Sequence, residues 1–454
     1  MTSGARSLPI AVFDTLISKG DNIMILHRSF DSAGGHLTID GLDAVELSAQ
    51  FGTPAMYVSE DAIRGMCRMY KAAFLKYFGE GASPIYAGKA LCFKRLYEIM
   101  AEEDMKADCV SAGELATANA AGFNMKNAFF HGNNKSDADL EYAVKLGVGH
   151  IVVDSVDELL ALNDIAETEG VKQGILLRIT PGIDPHTHKK IMTGNVDSKF
   201  GSAIVTGDAE RIVRLALELD NVELHGYHCH VGSQIFDIAP FRDAADIMLK
   251  FVRNMGETCG YFAEVLNLGG GFGVRYTEDD PHIDYEENIR LLSEEINAMC
   301  EKLGIKRPHI HMEPGRSIVA AAGATLYTCG SVKELEGFRN YVSVDGGMTD
   351  NPRYPLYQSQ YTVLNASKMD EPRDFECTLA GRCCESGDLL AEGVKIAAPE
   401  RGDIIAVLVT GAYNYSMASN YNRVPRPPIV MISDGKPYVA VRRETFEDLM
   451  HLEN

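Results

Sequence analysis

Through the middle of the chain, short apolar runs alternate with longer amphipathic stretches. The short runs are PIYAGKA (84–90), ADCVS (107–111), NAFFHG (127–132), HIVVDS (150–155), GILLRI (174–179), ELHGYHCHVG (223–232), VLNLGGG (265–271) and HIHMEPG (309–315). Between them, apolar residues recur at helical spacing in FKRLYEIMAEED, GELATANAAG, DADLEYAVKLG, SVDELLALNDIAETEG and DAERIVRLALELD. Strand then helix, repeated eight times over about 230 residues, predicts a (β/α)8, TIM-like barrel. A doubly wound open sheet is the competing reading. The count of eight and the lack of Gly-x-Gly-x-x-Gly after the first strand favour the barrel.

Beyond about residue 322 the pattern changes. ATLYTCGSVKELE, NYVSVDGG, YTVLNAS, FECTLAG, GDIIAVLVTGAY and PPIVMISDGKPYVAV are strand-like, with Gly, Asn, Asp and Pro at the turns and few long helical patterns between them. HLTIDG at 36–41 also reads as a strand, expected to join this C-terminal β domain. The fold class is therefore α/β plus all-β. The expected organisation is residues 1–56 contributing a strand to the β domain, 57–321 as the barrel and 322–454 as the C-terminal β domain. The first 20 residues and the last few are the best candidates for disorder.

The chain has 454 residues, enough for two or three domains. It carries 43 Lys and Arg against 64 Asp and Glu, a formal charge of −21. Such a chain repels nucleic acid and anionic membrane surfaces, which excludes both as expected partners. Anionic ligands would need local cationic pockets. The ten cysteines contain no CxxC pair and suggest no disulfide framework. No signal peptide and no window of 18 apolar residues is visible, so a reduced, cytoplasmic protein is expected.

In a barrel the chemistry lies at the C-terminal ends of the strands. There the sequence places Lys89, His131, His228, His230 with Ser233, the glycines Gly269, Gly270 and Gly271, and Glu313-Pro314-Gly315-Arg316. A lone lysine at a strand end is usually a solvated cation. Lys89, however, follows Ile85 and Ala87 in alternation and should enter the barrel mouth, where lost hydration would lower its pKa toward the free amine of a Schiff base. A Gly run can be a mere turn, or it can bare N–H groups to a phosphate. Glu313 beside Arg316 can be a structural ion pair, or the carboxylate that keeps a pyridine nitrogen protonated. His228 and His230 alternate and should share a strand face. No further ligands follow at metal-site spacing, so no metal is expected and a ring stacked on a cofactor is the better use. In the β domain, Cys383-Cys384-Glu385 sits in a polar stretch, and a thiol with an ordinary pKa near 8.5 can donate a proton. Arg353, Tyr357 and Tyr413 add a cation and two phenols.

Taken in order, YAGKA, HGNNK, PGIDPHTH, DSKFG, HCHVGSQ, NLGGGFG, EPGR, NPRYPLY, CCESGD and GAYNYSMASNYN span about residues 86 to 422. This set resembles the fold-type III, pyridoxal-phosphate-dependent decarboxylases, whose barrel and β-sandwich or β-barrel domain are alanine racemase-like. Among them it is most similar to those converting meso-2,6-diaminopimelate to L-lysine and CO2. The resemblance implies a carboxy-lyase of lysine biosynthesis with pyridoxal 5'-phosphate as cofactor. It implies that Lys89 bonds the cofactor and His230 stacks on its ring. Ser233, Gly269, Gly270, Gly271, Gly315 and Arg316 would hold the phosphate, and Glu313 would face the pyridine nitrogen. Tyr413 would touch cofactor and substrate. Arg316, Arg353 and Tyr357 would take the distal carboxylate and Glu385 the distal ammonium. Cys384 would be the proton donor, and Cys384 and Glu385 would complete the other subunit's site in a homodimer. Leu91 stands where the family commonly has Asn. Decarboxylases of ornithine, arginine or carboxynorspermidine are the nearest alternatives, but they lack a reason for Arg353. An alanine racemase would keep the ring unprotonated with an arginine rather than Glu313. A non-catalytic homologue would be expected to lose Lys89, Cys384 or the β domain.

Overall fold

The computed structural model describes residues 14–19, 22–182 and 199–454. All eight apolar runs form parallel strands: Ser83–Ala87, Lys106–Cys109, Ala128–Phe130, His150–Val153, Gln173–Thr180, Val222–His228, Val265–Asn267 and His309–Met312. Each pairs with the next, and His309–Met312 pairs back onto Ser83–Ala87, which closes the barrel. Parallel strands buried on both faces need apolar residues on both faces, hence the continuous runs. Ile85, Phe129, Val152 and Leu176 pack together as an apolar cluster of the barrel strands.

The strand-to-helix joints are legible in local chemistry. Ser111, Ser136 and Ser155 cap the helices Ala112–Ala120, Asp137–Leu146 and Val156–Glu169 by accepting backbone N–H bonds. Ser111 and Ser155 lie two residues past a barrel strand, and Ser136 six. The cap therefore fixes where the chain leaves the strand and turns back outside the barrel.

The β-rich part is built on the long strand Gly323–Lys333, which pairs with Tyr341–Val344 and Ile404–Leu408. Its sheet also holds Phe375–Ala380, Leu389–Ile396 and the hairpin Ile429–Ser433/Lys436–Val441. HLTIDG does not enter this sheet. Its strand His36–Ile39 pairs with Phe30–Ala33 and Leu42–Asp43 in a separate three-stranded sheet. It reaches the larger sheet's connections through Leu37 N–H donating to Ala366 O at 2.9 Å. The early strand that does enter is Ala55–Ser59, antiparallel to Gly323–Lys333 and parallel to Ile429–Ser433. It leads directly into the capped helix Glu60–Phe78 in front of the first barrel strand. The first 13 residues, residues 20 and 21, and residues 183–198 lie outside the described residues, with them most of PGIDPHTH and the start of DSKFG. No helix among the described residues is long and apolar enough to cross a membrane.

Candidate active site

A cavity opens at the C-terminal end of the barrel. Lys89, His230, Ser233, Glu313, Arg316 and Tyr413 face it, with backbone from Gly270, Gly271 and Gly315. Lys89 sits in a single turn, Gly88–Ala90, immediately after the first strand. Burial acts to lower its pKa, but Tyr413, Asp108 and Glu313 outweigh that effect and raise it. The expectation of a depressed lysine is thus overturned. The Asp108 and Glu313 carboxylates favour its charged form, and it must give up a proton before bonding a carbonyl.

Glu313 is the most constrained group in the cavity. Its Oε1 accepts from Asn267 Nδ2 at 2.7 Å and lies 2.9 Å from His131 Nε2, while Oε2 lies 3.2 Å from His228 Nε2. Burial alone would raise its pKa; His131 and His228 outweigh it and hold the carboxyl well below the usual range. His228 itself is pushed down to about 4 by burial. An ionised carboxylate can only accept, so the neutral His228 donates from Nε2. His131, His228 and Glu313 bring ligand atoms within 4.8 Å of one another. Asn267 and His228 hydrogen-bond the carboxylate and His131 stands beside it, so the group is held as one fixed, ionised carboxylate. His228 and His230 lie two residues apart, as read from the alternation, but do different work: His228 serves Glu313 and His230 faces the cavity.

The glycines divide in the same way. Gly270 and Gly271 face the cavity, whereas the Gly269 N–H is engaged by Asn267 Oδ1 at 2.9 Å and its carbonyl accepts from Glu313 N. A Cβ on Gly270 would sit 2.0 Å from the Glu313 carbonyl oxygen. Only glycine lets the seventh strand's loop approach the eighth so closely.

On the other side, Arg316 donates to Tyr276 Oη at 2.6 Å and Ser233 Oγ at 3.0 Å. Its guanidinium lies 4.6 Å from the Tyr413 ring centroid. Arg353 reaches the same ring at 5.5 Å and Tyr357 at 4.9 Å, so Tyr413 stands between two buried guanidinium groups. Sequence reading missed Tyr276, Asn267 and Asp108. Asn267 and Asp108 each interrupt an apolar strand run, which is a usable signal. Tyr276 lies in a connection and gave none.

Cys384 and Glu385 are not part of this cavity. Both are exposed, in the connection between Phe375–Ala380 and Leu389–Ile396. The Cys384 backbone N–H donates to Asn422 Oδ1 at 2.7 Å.

Residues 61–320 match the pyridoxal-binding domain of the pyridoxal-dependent decarboxylases. The diaminopimelate decarboxylase of Bacillus subtilis is 44% identical over 431 residues, 95% of this chain and 98% of that protein. The crystal structure of the M. jannaschii diaminopimelate decarboxylase with L-lysine superposes with a TM-score of 0.87 at 33% identity, covering 94% of this chain and 98% of that one. The chain belongs to the diaminopimelate decarboxylase family. The Helicobacter pylori member, also complexed with L-lysine, matches at 32% identity and a TM-score of 0.82, over 90% of this chain and 98% of that one.

Membership brings pyridoxal 5'-phosphate as the cofactor, and the residues present fit it. The cavity offers an amine at Lys89 and a clamped anion at Glu313. It also offers hydroxyl and guanidinium donors at Ser233 and Arg316. The buried Arg316 Nε has no hydrogen-bond partner among the described residues. A buried guanidinium N–H without an acceptor is costly, and an incoming phosphate or carboxylate oxygen would satisfy it.

Proposed function

We propose that this chain removes CO2 from meso-2,6-diaminopimelate and releases L-lysine, the last step of lysine formation. The observation that carries the reading is Glu313, kept ionised by His131, His228 and Asn267 in the cavity that Lys89 faces. A fixed carboxylate there favours a protonated pyridine nitrogen. Bound pyridoxal phosphate then supplies an electron sink for the pair left behind when CO2 departs.

The protein's own residues do the rest. Lys89 would hold the cofactor through its amine, and would be released when the substrate's amine takes its place. His230 would stand against the cofactor ring, and Ser233, Gly270, Gly271, Gly315 and Arg316 would hold its phosphate. Arg353 with Tyr357, beside Tyr413 and Arg316, receives the distal carboxylate, which a planar guanidinium pairs in two-pronged fashion. This end separates the substrate from lysine and ornithine, which carry no second carboxylate. Cys384 Sγ gives its proton to the α-carbon that lost CO2, and Glu385 pairs with the distal ammonium.

Cys384 and Glu385 lie outside their own chain's cavity, which supports a homodimer in which each subunit's turn completes the partner's site. Ten free cysteines support work in the reducing cytoplasm. The test is CO2 release measured side by side from meso-diaminopimelate, ornithine, arginine, lysine and carboxynorspermidine. Diaminopimelate is expected to dominate; preference for any substrate lacking the distal carboxylate overturns the reading.

A further inference from the structure

Two cysteines stand side by side at 383 and 384, and only one can be the working thiol. The turn that carries them closes around a single buried side chain, Asp388, which is 3% exposed. One carboxylate oxygen accepts from the Cys383 backbone N–H at 2.7 Å, and the other accepts from the Met348 N–H. The backbone repeats the closure: Gly381 N–H donates to Asp388 O at 2.8 Å, and Asp388 N–H to Glu385 O at 3.1 Å. Space is reserved for the carboxylate on two sides. A Cβ on Gly381 would sit 2.3 Å from it, and one on Gly347 2.5 Å.

Met348 belongs to a second turn, which leads into the short helix Arg353–Tyr357. That turn is fixed by Asp350, which accepts from Gly347 N–H at 2.9 Å and from Tyr327 Oη at 2.5 Å. The Arg382 N–H adds a bond to Gly346 O at 2.9 Å. Asp388 therefore joins the turn bearing the thiols to the turn bearing Arg353.

We propose that Asp388 is a positioning residue that presents Cys384, and not Cys383, as the proton donor and locks the thiol turn to the Arg353 turn. It rests on the reading above, in which Cys384 serves the partner's cavity and Arg353 its own. Asp388 then fixes, in one subunit, a group that works in each of the two sites. The two thiols differ as this requires. Cys384 is exposed, whereas Cys383 is half-buried, its thiol pushed up to about 11 by burial and by the Asp388 carboxylate beside it. A thiol with a nearby carboxylate is a poor thiolate and a poor nucleophile.

The test uses the full-length holoenzyme and Asp388→Asn, which keeps the shape but faces an amide NH2 against a backbone N–H. With meso-diaminopimelate, kcat is expected to fall at least tenfold with KM changed less than threefold, and the solvent deuterium isotope effect on kcat to rise. The cofactor absorbance should be unchanged. Unchanged kcat, or a loss without a larger isotope effect, overturns the proposal. A second readout needs no turnover: iodoacetamide labelling of each thiol, located by mass spectrometry, across pH 7 to 10. The wild type should label at Cys384, and Asp388→Asn should label Cys383 at least fivefold faster. Identical labelling of both thiols in the two proteins overturns it. Cys383→Ala should retain wild-type kcat, and a hundredfold loss there would make Cys383 the donor and end the proposal. Failure of the wild type to release CO2 from diaminopimelate sinks the functional reading instead, while the labelling comparison still reports on Asp388.

Discussion

The barrel mouth and the Cys384 turn are built on opposite plans. At the mouth the anion is buried and closely surrounded: Glu313 has three nitrogen neighbours within 3.2 Å, from the ends of the third and sixth strands and from the seventh, while Arg316 keeps a buried N–H for an incoming anion. In the turn, the reactive groups Cys384 and Glu385 are exposed, and the buried work falls to Asp388 beneath them. The contrast teaches where each half of the chemistry is prepared. Charge that must be ready before substrate arrives is fixed inside one chain, where a low dielectric strengthens it. The proton donor proposed above, Cys384, lies on an exposed turn, which under that proposal lets it complete a site from outside.

Breaking the mouth should cost most. Lys89→Ala is expected to abolish CO2 release and the visible absorbance of the bound cofactor; full activity would refute its role. Glu313→Gln removes the anion and leaves His131 and His228 facing a neutral amide. A loss of about 10² to 10³ in kcat is expected, in line with removal of a preorganised electrostatic partner, with cofactor still bound by absorbance. Breaking the turn should cost somewhat less. Cys384→Ser is expected to lower kcat by about 10², the lower end for a general acid. The comparison sharpens when Lys89→Ala and Cys384→Ser chains are mixed, since one site of each mixed dimer is then whole. About a quarter of wild-type activity should return if subunits exchange freely in a two-fold dimer; no recovery would mean both residues act within one chain.

Between the two regions lies Arg353. Arg353→Lys keeps the charge but loses the fork, and kcat/KM for diaminopimelate should fall about tenfold, mainly through KM. The smallest effect concerns the far end of the barrel. His150 stacks on Phe129, its ring Nε2 lies 2.9 Å from His225 Nδ1, and burial pushes its pKa down to about 3. Between about pH 6.5 and 3 the unfolded chain takes up a proton at this residue that the folded chain refuses. Stability is therefore complete above that window and lost as pH falls through it, by up to about 1.4 kcal/mol per pH unit from this one group. Thermal melting at pH 7 and pH 5 checks the direction, with Tm lower at pH 5.

Legibility followed the range of the interactions involved. All eight barrel strands could be read, because a parallel strand packed on both faces is a mostly apolar run and the helices between them repeat at helical spacing. Leu389–Ile396 was missed, since LLAEGVKI alternates weakly and follows the polar thiol turn without a break. HLTIDG was misplaced and Ala55–Ser59 was not read, because the partners of Ala55–Ser59 lie some 270 and 370 residues away and leave no local mark. The site residues were legible where a polar or glycine residue interrupts an apolar run at a strand end. The sign of the Lys89 shift was not, because Asp108, Glu313 and Tyr413 come to it from other elements.

The sequence by itself determined the barrel, its order, the family and most of the residues in the mouth. Periodicity, caps and strand-end chemistry are local, and local patterns are written in consecutive residues. The tertiary structure decided which histidine holds Glu313 and which faces the cavity, that the neighbours of Lys89 shift its pKa upward, and that Asp388 unites two turns some 35 to 40 residues apart. Those outcomes depend on distances of 3 to 5 Å between groups far apart in the chain, and Coulomb and hydrogen-bond energies are set by such distances.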